Sequence, residues 1–262
     1  MFLTSVLRQV FQRGNARGPE NAPAARSRAP RAADGPELLI VVATRVSAED
    51  FLETTPLGRS LRRLSFVARL DMRLAFLNRD GLPVVYNRQI NEENREKILL
   101  FVHDDVWLDD CFVKDRLVDA LKAFDVVGVA GNTRRVPQQP GWAFTTHEPF
   151  TWDDQANLAG AVAHGKEPCG VVNSFGPPGP RACKLLDGVL LAARCRTLLD
   201  SGVRFDERFT FDFYDIDFCR SAELANLRMG TWPIAITHAS DGKFGSPGWQ
   251  AGLQSYREKW KD

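Results

Sequence analysis

The sequence predicts an α/β domain built on a largely parallel sheet, and two observations carry that prediction. Three strand-length apolar runs, residues 38–44 (LLIVVAT), 98–102 (ILLFV) and 126–130 (VVGVA), read as strands covered on both faces. Segments of helical spacing separate them, as in βαβ units, whose parallel strands need crossover helices.

The elements come in this order. In residues 1–36, Phe2, Leu3, Val6, Leu7, Val10 and Phe11 share one helical face, with Arg8 and Arg13 off it. This amphipathic tail reads either as an interfacial helix touching an anionic membrane or as a segment that docks on protein or stays disordered. It is too short for a signal peptide and lacks the small-residue cleavage site. Residues 14–36, rich in Ala, Pro, Gly and Arg, read as a flexible linker. One folded domain is therefore expected over 37–262, with its first strand from Leu38.

After that strand, residues 56–64 (PLGRSLRRL) read as a helix with Pro near its start. Residues 72–77 and 82–86 are strand candidates around the turn formers Asn78, Arg79, Asp80 and Gly81. A polar helix is expected over 91–97. Another is expected over 111–124, through Phe112, Leu117, Val118 and Leu121. Residues 132–184 show no clear period; Pro, Gly, Trp142, Trp152 and polar side chains dominate, and long stretches of that kind tend to be functional. Regular structure resumes over 185–192, followed by helices around 194–201 and 215–226 and a last strand at 232–237.

Composition limits what such a domain does. With 262 residues, 44% hydrophobic and 26% charged, the chain is long enough to bury a substantial core. Six arginines against Glu20 and Asp34 put +4 on residues 1–36, so the overall +1 leaves −3 on the folded body. A slightly acidic body is a poor partner for nucleic acid. Five cysteines, odd in number and without a CxxC pair, fit neither a zinc ribbon nor a disulfide framework. They read as reduced thiols in a cytoplasmic protein. No run approaches the ~20 apolar residues of a membrane span. At most the tail is expected to touch the inner face of a membrane.

Three segments carry chemistry. Strand ILLFV ends abruptly in His103, Asp104 and Asp105, and ligands of parallel sheets collect beyond the carboxyl ends of strands. Adjacent carboxylates are costly unless a positive group lies near them. A divalent cation bridging a diphosphate fits, since Mg²⁺ and Mn²⁺ favour carboxylate and phosphate oxygens; capping of the next helix is the plainer alternative. In FDFYDIDFCR (211–220), Asp212, Asp215 and Asp217 alternate with apolar residues at a helix start. One of them suits a general base, and acidic residues also simply complement a helix N-terminus. His238, directly after WPIAIT, is either a metal ligand or a surface imidazole.

Taken together, FVHDDV, Leu186-Asp187-Gly188-Val189, FDERF…YDIDFCRSA and the late strand-end His238 resemble glycosyltransferases of the family 2 type, closest to a bacterial group whose metal motif reads HDD. The resemblance spans about Leu38 to Gly245. It implies the GT-A (Rossmann-like) fold, a mixed, mostly parallel sheet flanked by helices in a single domain, with residues 132–184 facing the acceptor. By this resemblance Asp105 and His238 hold Mn²⁺ or Mg²⁺, and Asp104 lies nearer the ribose. Thr44, Arg45 and Asn78 line the nucleotide, although Asn78 stands where an acidic residue is usual. Asp187 and Gly188 lie under the transferred sugar. Asp215 is the base, with Asp217 second, and Tyr214 occupies the place of the usual Glu. The implied reaction is inverting transfer from a nucleoside-diphosphate sugar, a UDP-sugar first, to a hydroxyl of a glycan or other acceptor, in bacterial surface glycan or glycoconjugate synthesis. Trp142 and Trp152 are candidates for stacking on sugar rings or for local core.

Two other classes compete. A metal-dependent phosphate enzyme would want a GxxxxGK[ST] loop or a DxDxT strand end, and neither occurs. A nucleotide-sugar or carbohydrate-binding module without turnover has only Tyr214 in its favour.

Overall fold

Five consecutive apolar side chains leave residues 38–42 no polar face to turn to water, and strand β1 (Leu38–Ala43) is buried along that whole length. The computed structural model describes residues 35–67, 70–177, 179–240, 242 and 244–261. The tail and linker expected before Leu38 lie, as far as residue 34, outside the described residues.

After β1 come helices α1 (Ala48–Thr54) and α2 (Pro56–Arg63), strand β2 (Leu70–Ala75) and helix α3 (Leu82–Asn87). A 3₁₀ turn (Glu92–Asn94) leads to β3 (Ile98–Val102), β4 (Val106–Leu108), α4 (Val113–Ala123), β5 (Val126–Gly128) and β6 (Ala130–Asn132). Short strands come next: β7 (Phe144–His147), β8 (Phe150–Trp152), β9 (Leu158–His164), β10 (Val171–Ser174), β11 (Arg181–Ala182) and β12 (Leu185–Leu186). The chain closes with β13 (Leu190–Arg194), α5 (Cys195–Ser201), α6 (Tyr214–Leu224), β14 (Met229–Thr231), β15 (Ile236–His238) and α7 (Pro247–Trp260).

The architecture is the expected mixed sheet flanked by helices. The main sheet has the strand order β11-β14-β5-β13-β3-β1-β2. Its pairings divide evenly between parallel (β1 with β2 and β3, β5 with β14) and antiparallel (β13 with β3 and β5, β11 with β14). The antiparallel share comes mainly from β13, inserted at the centre of the sheet. A second sheet, β12-β6-β9-β15-β4, lies alongside, and β7 and β8 form a separate hairpin.

Several local expectations change. Residues 82–87 form a helix, not a strand, because Pro83 sits in the first turn, where its missing N–H costs nothing. The polar helix expected at 91–97 shrinks to the 3₁₀ turn, capped by the Asn91 side chain on Asn94 N at 3.2 Å. VVGVA divides at Val129 between the two sheets, and residues 185–194 divide at Asp187–Val189. The last strand begins only at Ile236.

Residues 132–184 are more ordered than their composition implies. Asp153, buried at their centre, accepts from Asn132 (2.8 Å), Arg134 (2.9 Å) and Asn157 (3.1 Å). The Arg134 contact holds this carboxyl well below its ordinary range. Trp142 is core, edge-on to Phe175, whereas Trp152 is half exposed.

Topology explains the placement of the chain's polar strand ends. β1 runs parallel to β3 in a register that takes Val41 opposite Phe101, so Thr44 emerges beside Asp104. β13 runs antiparallel on the other side, with Leu190 opposite Val102, so Asp187–Val189 flank His103 from there. β15 pairs with β4 in a register that sets His238 opposite Val106, next to Asp105.

Candidate metal and catalytic centre

Three side chains meet at the end of β3. One ligand atom each from His103, Asp105 and His238 lies within 4.8 Å of the others. Asp105 Oδ1 is 3.3 Å from His238 Nε2 and 4.0 Å from His103 Nδ1. That oxygen is buried without a hydrogen-bond partner. Burial alone would push the Asp105 carboxyl up; the two imidazoles and the Ser240 hydroxyl outweigh it and pull the group down to about 2. An ionised carboxylate with an orphaned oxygen, facing two imidazoles, could hold a transition-metal ion. Two nitrogens and one oxygen fit Mn²⁺ better than Mg²⁺, which demands oxygen.

The hydrogen bonds around Tyr214 fix the tautomer of His103. Tyr214 Oη donates to Gly188 O at 2.7 Å, and its oxygen lies 2.9 Å from His103 Nε2. The hydroxyl has one proton, already committed to the carbonyl, so Nε2 must be the donor. The Nδ1 lone pair then points towards Asp105, ready for a cation. Burial, the largest influence, pulls the imidazole's pKa down and so favours the neutral form that binds metal.

The same chain of contacts reaches the acidic helix start. Gly188 N donates to Asp215 Oδ2 at 3.0 Å, and Ile216 N to Asp215 Oδ1 at 2.9 Å. A side chain at Gly188 is excluded: its Cβ would lie 2.7 Å from Tyr214 Cζ and 2.8 Å from Asp215 Cβ. Burial, with the charge of Asp187 adding to it, raises the Asp215 carboxyl to about 7 despite these N–H donors. Asp187 itself accepts from Val189 N at 2.9 Å.

On the other side, Thr44 Oγ1 donates to Asp104 Oδ2 at 2.5 Å, which ties the end of β1 to the end of β3. Burial raises the Asp104 carboxyl, and Thr44 offsets part of that rise. Arg45 is exposed just beyond. Asn78 reaches this corner through its backbone, donating to Thr44 O at 2.8 Å; its side chain closes a turn on Asp80 O at 2.7 Å.

The structure thus gathers Thr44, Asp104, Asp105, Asp187, Gly188, Asp215 and His238, with Asn78 and Arg45 at the Thr44 corner. Asp217 is not brought in. Its side chain is fully buried, with Oδ1 2.7 Å from Lys259 Nζ and 2.8 Å from Trp260 Nε1 of α7. The sequence reading assigns the cation to Asp105 and His238 only; His103, inside the motif itself, also belongs to the cluster, and Tyr214 links its two halves. His164 is a further imidazole here, 6.0 Å ring to ring from His238. Two surface cavities lie elsewhere, about 480 Å³ beside His147 and Arg257 and about 720 Å³ beside Lys259 and Trp260; no residue of the cluster lines either.

No protein-family model matches the chain, and no curated protein matches it in sequence. Among solved structures, A197 from STIV is similar with TM-score 0.42 and 13% identity, over 78% of this chain and 86% of that one. GalNAc-T7, solved with UDP, GalNAc and Mn²⁺, gives TM-score 0.45 and 10% identity over 88% of this chain. S. aureus TarS 1–349, solved with UDP, gives 0.42 and 16% over 78%. This chain spans 49% of the GalNAc-T7 chain and 61% of the TarS chain. Likenesses at these levels assign neither family nor activity. Among the described residues no helix is long and apolar enough to cross a membrane.

Proposed function

We propose that the protein is a metal-dependent GT-A glycosyltransferase that transfers a sugar from a nucleoside diphosphate to an acceptor hydroxyl with inversion. The observation that carries this reading is the hydrogen-bonded path from His103 through Tyr214 and Gly188 to Asp215, which joins the metal-type cluster to a carboxylate with raised affinity for a proton.

In this reading His103, Asp105 and His238 hold Mn²⁺, or Mg²⁺ less well, and the cation supplies Lewis acidity to the diphosphate oxygens. The chain's own residues do the rest. Thr44, Arg45 and Asn78 lie where base and ribose dock, and Asp104, fixed by Thr44, contacts the ribose. Gly188, whose missing side chain makes room for Tyr214 and Asp215, and Asp187 lie beneath the transferred sugar. Asp215 accepts the acceptor's hydroxyl proton as its oxygen bonds to the anomeric carbon and the bond to the diphosphate oxygen breaks. A carboxyl near neutral suits a general base. Residues 37–262 form the transferase domain, residues 132–184 face the acceptor, and the context is bacterial surface glycan or glycoconjugate synthesis in the cytoplasm.

The test is a panel of UDP-, GDP- and dTDP-sugars incubated with the protein and Mn²⁺. Slow hydrolysis of at least one donor, abolished by chelation, is expected. Binding without turnover in every case, or cleavage of simple phosphate esters instead, overturns the reading.

A further inference from the structure

Phe213 occupies the left-handed backbone region at φ 67°. A bulky residue stays there only when its surroundings hold it. Helix α7 does the holding. The Phe213 ring is buried, 5.2 Å from the Trp249 ring and 5.7 Å from the Tyr256 ring. Between those two, α7 carries Gly252, where an added Cβ would stand 2.7 Å from Phe213 Cδ2 and 3.2 Å from Cε2. Glycine is a poor helix former, and the approach of this ring is the physical reason for it here.

Phe213 matters because helix α6 starts from it. It is the N-cap of α6 and makes no side-chain cap, so its backbone turn sets the direction in which the helix starts. The first two side chains of that helix are Tyr214, on Gly188 and His103, and Asp215, on the Gly188 amide. Relaxation of residue 213 to a right-handed conformation would swing both away from Gly188.

We propose that Phe213 is a positioning residue for the transfer reaction and that α7, through Trp249, Gly252 and Tyr256, is the clamp that holds it. The inference rests on Asp215 being the proton acceptor, but the clamp is also measurable without any substrate. The Gly188 amide, which donates to Asp215 Oδ2, reports the position of that carboxylate by hydrogen exchange in the full chain. Gly252→Ala removes a poor helix former and crowds the ring. It is expected to speed Gly188 exchange at least about tenfold through local opening. It should also lower kcat about 10- to 100-fold, with the donor KM changed less than about twofold, the mark of lost positioning rather than lost binding. Gly252→Ala with Phe213→Leu, which shortens the crowded side chain, is expected to recover most of both. If Gly252→Ala fails to fold, Phe213→Gly keeps the left-handed turn without its anchor and is expected to show the same two losses. A folded variant with unchanged Gly188 exchange overturns the clamp. A wild-type protein that turns over no donor overturns the transferase reading instead, and leaves the exchange measurement to decide the clamp.

Discussion

Asp105 and Asp215 are both part-buried carboxylates at the same end of the main sheet, and their surroundings drive them in opposite directions. Asp105 faces two imidazoles, which overcome the cost of burial and hold it near 2. Asp215 faces Asp187 and the N–H groups of Gly188 and Ile216, and burial with the neighbouring charge lifts it to about 7. Two identical side chains are thereby suited to different work: a permanent anion for a cation and an acceptor for a proton. The environment, not the residue type, assigns the roles.

The largest effect is expected at Asp215. Asp215→Asn keeps the shape and the Gly188 contact but cannot take a proton. It is expected to lower kcat by about 10²–10⁴ while nucleotide binding, followed by calorimetry, stays within a few-fold. Retained transfer would move the base elsewhere. In the wild type, kcat should rise with pH through about 7 as Asp215 ionises and then level off. Stability should move the other way. A carboxyl whose folded pKa is raised stabilises the fold only while protonated, so the contribution is complete below about 4 and lost as pH rises through 7. The loss is at most about 4 kcal/mol. Asp215→Asn should therefore raise the melting temperature at pH 8 and change it little at pH 4.

At the other carboxylate, Asp105→Ala removes the only anionic ligand of the cluster. Metal-dependent nucleotide binding is expected to weaken at least about 100-fold, and the loss should not be recovered by excess Mn²⁺. Tyr214→Phe is a smaller intervention between the two sites. It removes the hydroxyl that accepts the hydrogen bond from His103 Nε2, so the ring loses its fixed tautomer. The affinity for Mn²⁺ should drop about 10- to 100-fold. Unchanged affinity would mean that His103 is not a ligand.

How much of this was legible in the sequence depends on the physical origin of each feature. LLIVVAT and ILLFV announced their strands because uninterrupted apolar runs must be buried wherever they go. HDD announced itself because charges placed directly after such a run emerge at its end. The helix at 82–87 was hidden because Val84, Val85 and Tyr86 favour strands, and only Pro83 in the first turn argued otherwise. The partnership of His103 with Tyr214 and Gly188 was not legible at all, since residues 103, 188 and 214 meet only through the insertion of β13 against β3. Nor was the fate of Asp217, the second candidate base after Asp215, because the Lys259 that pairs with it comes from α7.

Asp217 is the mildest test of the contrast. Two residues along α6 from Asp215, it lies under α7, where Lys259 also bridges to Asp206 at 2.8 Å. Asp217→Asn leaves Trp260 an oxygen to donate to and leaves Lys259 paired with Asp206, so no cation is stranded. A loss of about 1–2 kcal/mol in urea unfolding is expected, with kcat within about threefold of wild type. The pH limb near 7 should be unmoved, because the group that makes it is on the other face of the helix. If transfer instead collapses in Asp217→Asn and survives in Asp215→Asn, the ion pair with Lys259 must open during the reaction, and Asp217 rather than Asp215 takes the proton.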